Sequence, residues 1–345
     1  MTGKDILKET HQLLSGSGHG KPGVASVKKP EKNLVIAVDL GATNTRVATV
    51  DHSGTVVEIL QAPTPDSGLS PQIISDHILS LIRELGSCGK RIDFVGIGIS
   101  TAGPVDPARG MLVNPPNIPF PEIPLIDPVG RALGIPARLL NDCHAGVIGE
   151  FLHGRVKGRD NVVYLTLSTG IGAGVIAGGR LFFGREGNAA EVGHFHVDSV
   201  YNVICGCGHA GHWEGYASGR NIPRFFARWA EYHGIPSPEW AVSAGAIFQV
   251  ARFGNLVAQD FIEELGKVCA RGLSDIIVAY DPAIVILDGP VIRENADLLL
   301  PLLKEYTDRF LPCPEVLISS LGGNAPLLGA AAIAWPDMHF PGLPD

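Results

Sequence analysis

Apolar and polar positions along this chain follow one signature that occurs twice. LVIAVDL (34–40) is apolar and largely β-branched, which predicts a strand buried on both faces. A turn-rich GATNT follows, then RVATV (46–50), a short turn at 51–54 and TVVEIL (55–60), a three-strand meander. Apolar residues at 73, 74, 78, 81, 82 and 85 keep helical spacing across 69–85. IDFVGIGIS (92–100) predicts another buried strand, 125–133 a short helix and ARLLN (137–141) a strand. Residues 143–152 predict a helix with Val147, Ile148, Phe151 and Leu152 on its apolar side. The meander then starts again, with strand NVVYLTL (161–167), Gly-rich turn STGIGAG (168–174) and two further strands in GAGVIAGG and RLFFG. The two copies lie roughly 128 residues apart, a sign of internal duplication. Helices near 219–232, 244–252 and 256–280, strand AIVILDG (283–289), a helix at 294–309, strand EVLIS (315–319) and a small-residue helix at 326–334 complete the pattern.

Strands alternating with helices predict an α/β architecture. Two Gly-rich hairpins in a duplicated frame suggest a nucleotide held in a cleft between two lobes. The expected partition is a flexible, Gly- and Lys-rich tail at 1–32 with room for a short helix at 4–14, a small lobe at 33–140 completed by 325–345, and a larger lobe at 141–324.

Composition narrows the classes. With 45% hydrophobic and 18% charged residues, 345 residues can bury a substantial core, and global disorder is excluded. A net charge of −8 argues against nucleic acid as a partner, because a basic face is the usual footprint. No apolar run reaches the ~20 residues that span a bilayer, and MTGKDILKETHQLL lacks the apolar stretch of a secretory signal. Six cysteines in a chain this long do not form a disulfide framework. A soluble cytoplasmic protein is expected, with no membrane partner.

Four segments carry candidate chemistry. In Asp39-Leu40-Gly41-Ala42-Thr43-Asn44-Thr45-Arg46, an acid at a strand end precedes a tight turn whose amides can face phosphate, and Asp39 can hold Mg²⁺ directly or through water. Ser168-Thr169-Gly170-Ile171-Gly172 repeats that geometry without a Walker ending. An ordinary hairpin turn also accounts for each segment alone; as a pair they favour a phosphate clamp. Asn141-Asp142 stands between a strand and a helix. A helix dipole there keeps Asp142 ionised as a base for phosphoryl transfer to a hydroxyl, although an N-cap needs the same residue types. Last, Glu191-Val192-Gly193-His194 precedes Cys205-Gly206-Cys207-Gly208-His209-Ala210-Gly211-His212-Trp213-Glu214. His194, Cys205, Cys207 and His212, or His209 in its place, make a tetrahedral N₂S₂ zinc set. Four protein ligands would close it, so the zinc is expected to be structural. Glu191 and Glu214 bracket it and suit sugar hydroxyls, or surface ion pairs.

In this order, DLGATNTR, STAGPVD (100–106), NPPNIPF (114–120), NDCHAGVIGE (141–150), LSTGIGAGVI (167–176), EVGH, CGCGHAGHWEGYASG (205–219), ILDGPV (286–291) and LLGAAA (327–332) resemble the ROK family of sugar kinases and related repressors. The resemblance implies an actin-like (ribonuclease H-like) fold of two duplicated α/β lobes with an interlobe cleft. It implies transfer of the ATP γ-phosphoryl group to a hexose, usually at the 6-hydroxyl, and a glucokinase or hexokinase. An N-acetylglucosamine or N-acetylmannosamine kinase and a non-catalytic sugar-responsive regulator are the alternatives. By the family's motifs Asp142 would be the base. Asn117, Asn141, Asp142, Glu191, His194 and Glu214 would contact the sugar, and Asp39, Gly41, Thr43, Asn44, Thr169, Gly170 and Gly289 would hold ATP and Mg²⁺. His194 would also ligate Zn²⁺. A homo-oligomer, dimer or tetramer, is implied by the same analogy. Three positions depart from the family: Ala42 stands for Gly, His212 for a third zinc Cys, and ILDGPV for a more Gly-rich nucleotide loop. Family repressors carry an N-terminal DNA-binding module, for which the 33 residues before the first strand are too short, so a repressor is disfavoured.

Overall fold

The computed structural model describes residues 33–86, 93–115, 118–156, 158–236 and 238–343. The expected tail at 1–32 and Asn117 lie outside them. The described chain opens with β1 (Asn33–Leu40), β2 (Asn44–Val50) and β3 (Val56–Pro63), followed by α1 (Gln72–Gly86) and β4 (Asp93–Thr101). Three short strands come next, β5 (Val105–Asp106), β6 (Met111–Val113) and β7 (Glu122–Pro124), then α2 (Ile126–Leu133), β8 (Ala137–Asn141) and α3 (Asp142–His153). The second copy contains β9 (Val162–Leu167), β10 (Ile171–Ala177) and β11 (Arg180–Leu181). After a single 3₁₀ turn at Val192–His194 come helices α4 (Glu214–Ala217), α5 (Ile222–Tyr232), α6 (Ala244–Arg252) and α7 (Leu256–Tyr280). The chain ends with β12 (Ile284–Asp288), α8 (Pro290–Arg293), α9 (Ala296–Tyr306), β13 (Glu315–Ile318) and α10 (Ala325–Ala334).

The two five-stranded sheets have one plan. The first runs β3-β2-β1-β4-β8 and the second β11-β10-β9-β12-β13. In each, an antiparallel meander supplies one edge and parallel strands the other. The expected duplication is therefore present in strand order as well as in sequence. β5, β6 and β7 form a small third sheet that the hydrophobic pattern did not predict, since strands of two or three residues carry too few positions for a period to register.

Successive side chains of β1 point to opposite faces, as a strand requires. Ile36, Val38 and Leu40 join a core with α1 and α2, whereas Val35 and Ala37 pack against Leu327, Ala330, Ala331 and Ala334 of α10. The last helix thus lies on the first sheet. It is apolar all round, as befits a helix with no face toward water. Close approach explains its small residues: a Cβ on Gly98 of β4 would overlap the Ala330 carbonyl, and one on Gly329 the Ala145 carbonyl of α3. α3 in turn packs on β9 and β10, with its buried residues in a core shared with the second sheet. α3 and α10 therefore lie backbone to backbone between the sheets. Among the described residues, no helix is long and apolar enough to cross a membrane.

Candidate active site

Parallel strands present their C-terminal ends to ligands, and the site begins there. In register, Asp39 on β1 stands beside Ser100 on β4, while Thr101 stands beside both Leu40 and Asn141. Asp39 accepts from Ser100 Oγ through one oxygen (3.0 Å) and from Arg46 Nη2 and Nε through the other (2.6 and 3.0 Å). Arg46 also donates to Asn324 Oδ1 (2.9 Å) and Gly323 O (2.8 Å), which ties this acid to the entry of α10. Ser100 and Arg46 lie in motifs singled out in the sequence but carried no assigned role there; strand register supplies it.

Asn141 Oδ1 accepts from Cys143 N (2.8 Å) and caps α3, so the predicted cap exists. Its neighbour Asp142 is the first residue of the helix. The sequence predicted a carboxyl kept ionised by the dipole. Burial and then the charge of Asp39 lift it to about 6, outweighing the hydrogen bonds to Cys143 that favour the charged form, so the carboxyl is ionised at neutral pH but titrates closer to it than a free aspartate. Glu191 lines the same cleft; desolvation by its walls and then the charges of Asp142 and Glu214 push its carboxyl to about 7. Asp39, Asp142, Glu191 and Glu214 are thus one electrostatic group.

Gly103 shapes the wall facing them. A Cβ there would stand 2.9 Å from Asn141 Nδ2 and 3.5 Å from Glu191 Oε1. Glu214 Oε2 accepts from Ile171 N (3.0 Å), just past the turn that holds Thr169 and Gly170. The first turn closes through Gly41 N to Asn44 O (3.0 Å) and the second through Ser168 N to Gly170 O (2.8 Å), with Thr43, Asn44 and Thr169 exposed. The two turns join the same pair of strands in each sheet. Gly289 lies at the matching end of β12 with φ +92, a conformation that favours glycine.

The metal set predicted from spacing assembles. One ligand atom each from His194, Cys205, Cys207 and His212 lies within 4.8 Å of the others, and His209 is outside this group. His194 Nδ1 and His212 Nδ1 are 3.3 Å apart, and Cys207 Sγ is 3.1 Å from His212 Nδ1. Two nitrogens bound at 2.0–2.1 Å to one tetrahedral zinc would stand about 3.3 Å apart. The donor set and its spacing fit Zn²⁺. His194 N donates to Glu191 O (3.1 Å), so one 3₁₀ turn joins this set to the carboxylate group.

Two duplicated α/β halves, each with a glycine-lined hairpin at the C-terminal ends of its parallel strands, define an actin-like ATPase fold with an acidic interlobe cleft. The sequence model of the ROK family matches residues 35–336, and the chain belongs to that family. It is 34% identical over 302 residues to a glucokinase of Pyrobaculum calidifontis, covering 87% of this chain and 94% of the relative. It is also 28% identical over 337 residues to the xylose repressor of Bacillus subtilis, covering 95% of this chain and 84% of that protein. A ROK family glucokinase from Streptomyces griseus, solved in complex with glucose and AMPPNP, superposes with a TM-score of 0.73 at 33% identity, over 87% of this chain and 99% of the other.

Proposed function

We propose that this chain is an ATP-dependent hexose kinase of the glucokinase type, which transfers the γ-phosphoryl group to the 6-hydroxyl of glucose or a related hexose. The observation that carries it is the position of Asp142, at the first turn of α3 beside Asp39 and Glu191, with a carboxyl pushed to about 6. A base of that pKa is ionised at neutral pH yet basic enough to accept the hydroxyl proton as the oxygen attacks.

In-line transfer needs positioning and charge stabilisation more than covalent chemistry. Asn141, Glu191, His194 and Glu214 hold the pyranose hydroxyls. Backbone amides around Gly41, Thr43, Asn44, Thr169 and Gly170, with Gly289, cradle the triphosphate. ATP enters with its Mg²⁺, which Asp39 would help to hold; both Asp39 oxygens already hold Arg46 and Ser100, so water-mediated contact would suit it. Zinc bound by His194, Cys205, Cys207 and His212 would supply rigidity, because four protein ligands leave no open position for hydroxide. Residues 33–140 with 325–345 act as one lobe and 141–324 as the other, and closure excludes water from the transfer.

The test is ADP release with Mg–ATP and a panel of glucose, mannose, fructose, N-acetylglucosamine and N-acetylmannosamine. Turnover on glucose or mannose is expected. A preference for the N-acetylated sugars would move the chain to an amino-sugar kinase. The likeness to the xylose repressor favours one further reading, a sugar-responsive regulator without catalysis; binding of a sugar with no ADP release from any member of the panel would establish it.

A further inference from the structure

One pair of hydrogen bonds joins the two halves beside the sugar wall. Val105 N donates to Asn188 Oδ1 (3.0 Å), and Asn188 Nδ2 donates to Val105 O (3.1 Å). Val105 begins β5 and is packed in the core of the first sheet, whereas Asn188 lies on the segment that follows β11 of the second. The side-chain amide imitates a strand neighbour and satisfies both backbone groups of one residue. A third bond, Asn188 Nδ2 to Glu186 O (3.1 Å), fixes the amide to its own loop.

Both ends of this clasp lead to the site. Two residues before Val105 is Gly103, where a Cβ would be 3.6 Å from Asn188 Oδ1 as well as 3.5 Å from Glu191 Oε1. Three residues after Asn188 is Glu191 itself. Between them Ala190 holds φ +65, a left-handed conformation that a non-glycine residue keeps only when its surroundings impose it. Those surroundings are visible: Val192 N donates to Ala190 O (2.7 Å), and His144, fully buried on α3 two residues after Asp142, packs its ring against Phe183 at the start of the segment.

We infer that Asn188 is a positioning residue for the sugar: its clasp on Val105 fastens the Glu191-bearing segment of one half to the Gly103 loop of the other, so that the two walls of the sugar site come together as one surface. This rests on the hexose-kinase reading, and it assigns to Asn188 a role in sugar affinity and none in nucleotide affinity. Among the described residues Asn188 hydrogen-bonds to Val105 and Glu186 and to neither hairpin turn, so its loss acts through Glu191 and Gly103.

The experiment compares wild type with Asn188→Ala, which removes the amide, and Asn188→Asp, which keeps the acceptor for Val105 N and loses the donor. Glucose Kd by calorimetry, KM for glucose and for ATP, kcat and amide hydrogen exchange at Val105 are measured. Asn188→Ala is expected to raise glucose Kd and KM about tenfold, with KM for ATP within about twofold of wild type, and to abolish protection of the Val105 amide. Asn188→Asp should retain that protection in part and fall between the two in glucose affinity. Equal loss of sugar and ATP affinity, a fall in Tm with both KM values unchanged, or an unprotected Val105 amide in wild type would each overturn the inference. A wild type that binds no sugar of the panel would instead sink the hexose-kinase reading, while the exchange measurement still reports on the clasp.

Discussion

The two sheets share a strand order, yet each uses the acid at the C-terminal end of one of its inner strands differently. In the first, Asp39 sits on the central strand β1 and takes its hydroxyl partner, Ser100, from the neighbouring β4. In the second the roles are exchanged: Asp288 sits on β12, and Tyr164 on the central strand β9 is the hydroxyl partner (3.0 Å). Asp39 keeps 17% of its side chain accessible and its charge is felt by Asp142. Asp288 keeps 2% and also accepts from Gly289 N (2.7 Å), with Arg293 Nε at 3.2 Å. Both acids are held by partners, but Asp39 stays partly accessible and raises the pKa of Asp142, whereas Asp288 is closed off and shapes the Gly289 turn. Duplication supplied the same frame twice, and local partners decide how exposed the acid of each copy is.

The sharpest way to break that contrast is at the residue that the open acid influences. Asp142→Asn keeps size and the local helix start while removing the proton acceptor. Steady-state assays should find kcat at least ~10²-fold lower with sugar affinity largely kept, the range for a positioned base. Near-normal turnover would remove Asp142 from the mechanism and with it the significance of the open edge.

Asp39→Asn tests the next link. Expected is a fall in kcat of about tenfold to a hundredfold, from loss of preorganised charge around the triphosphate. A second readout is the pH profile. Asp142 works when ionised, so activity is lost as pH falls through its value of about 6. Part of that elevation comes from Asp39, so deleting the Asp39 charge makes ionisation easier and must move the acid limb to lower pH. A limb displaced upward, or left in place, contradicts the coupling of the two carboxylates.

Much of this arrangement was legible in the chain itself. Periodicity located the long elements, because β9 and α7 each present enough positions for a period to show. Spacing grouped His194, Cys205 and Cys207 with either His212 or His209, since metal ligands must converge within a few ångströms whatever the fold; the folded chain brings His212 into the group. What stayed hidden depends on contacts distant in sequence. Asn188 pairs with a residue 83 positions away and Arg46 with one 278 away, and nothing local marks either side chain. The pKa of Asp142 was hidden for the same reason: its helix position is local, but the burial and the Asp39 charge that override the dipole come from packing.

The His194–His212 loop sharpens the comparison from outside the sheets. Glu191 is one turn from His194, and the Glu214 side chain accepts from Ile171 N at the second hairpin. Stripping metal with a chelator, or His212→Ala with zinc content measured directly, should raise the sugar KM about tenfold and change the ATP KM by about twofold or less. Equal loss of both would mean that the loop supports the whole cleft, not its sugar wall. Full metal content in His212→Ala would return the fourth position to His209.

The smallest catalytic effect is expected at the closed edge. Tyr164→Phe deletes the phenol that donates to Asp288 and changes nothing else in the ring that packs beneath α3. Burial and the charge of Asp288 hold that phenol's pKa well above its usual value, so it remains a donor across the working pH range. Losing a buried hydrogen bond to a carboxylate costs about 1–3 kcal/mol, which corresponds to a Tm lower by about 2–5 °C. Because Gly289 N and Arg293 still hold Asp288, the turn keeps its shape and kcat should change by no more than about threefold. Calorimetric unfolding beside steady-state kinetics separates the two terms. A large fall in kcat with an unchanged Tm would show that Asp288 and Tyr164 act in the transfer itself, and the two edges of the duplicated frame would then be equals.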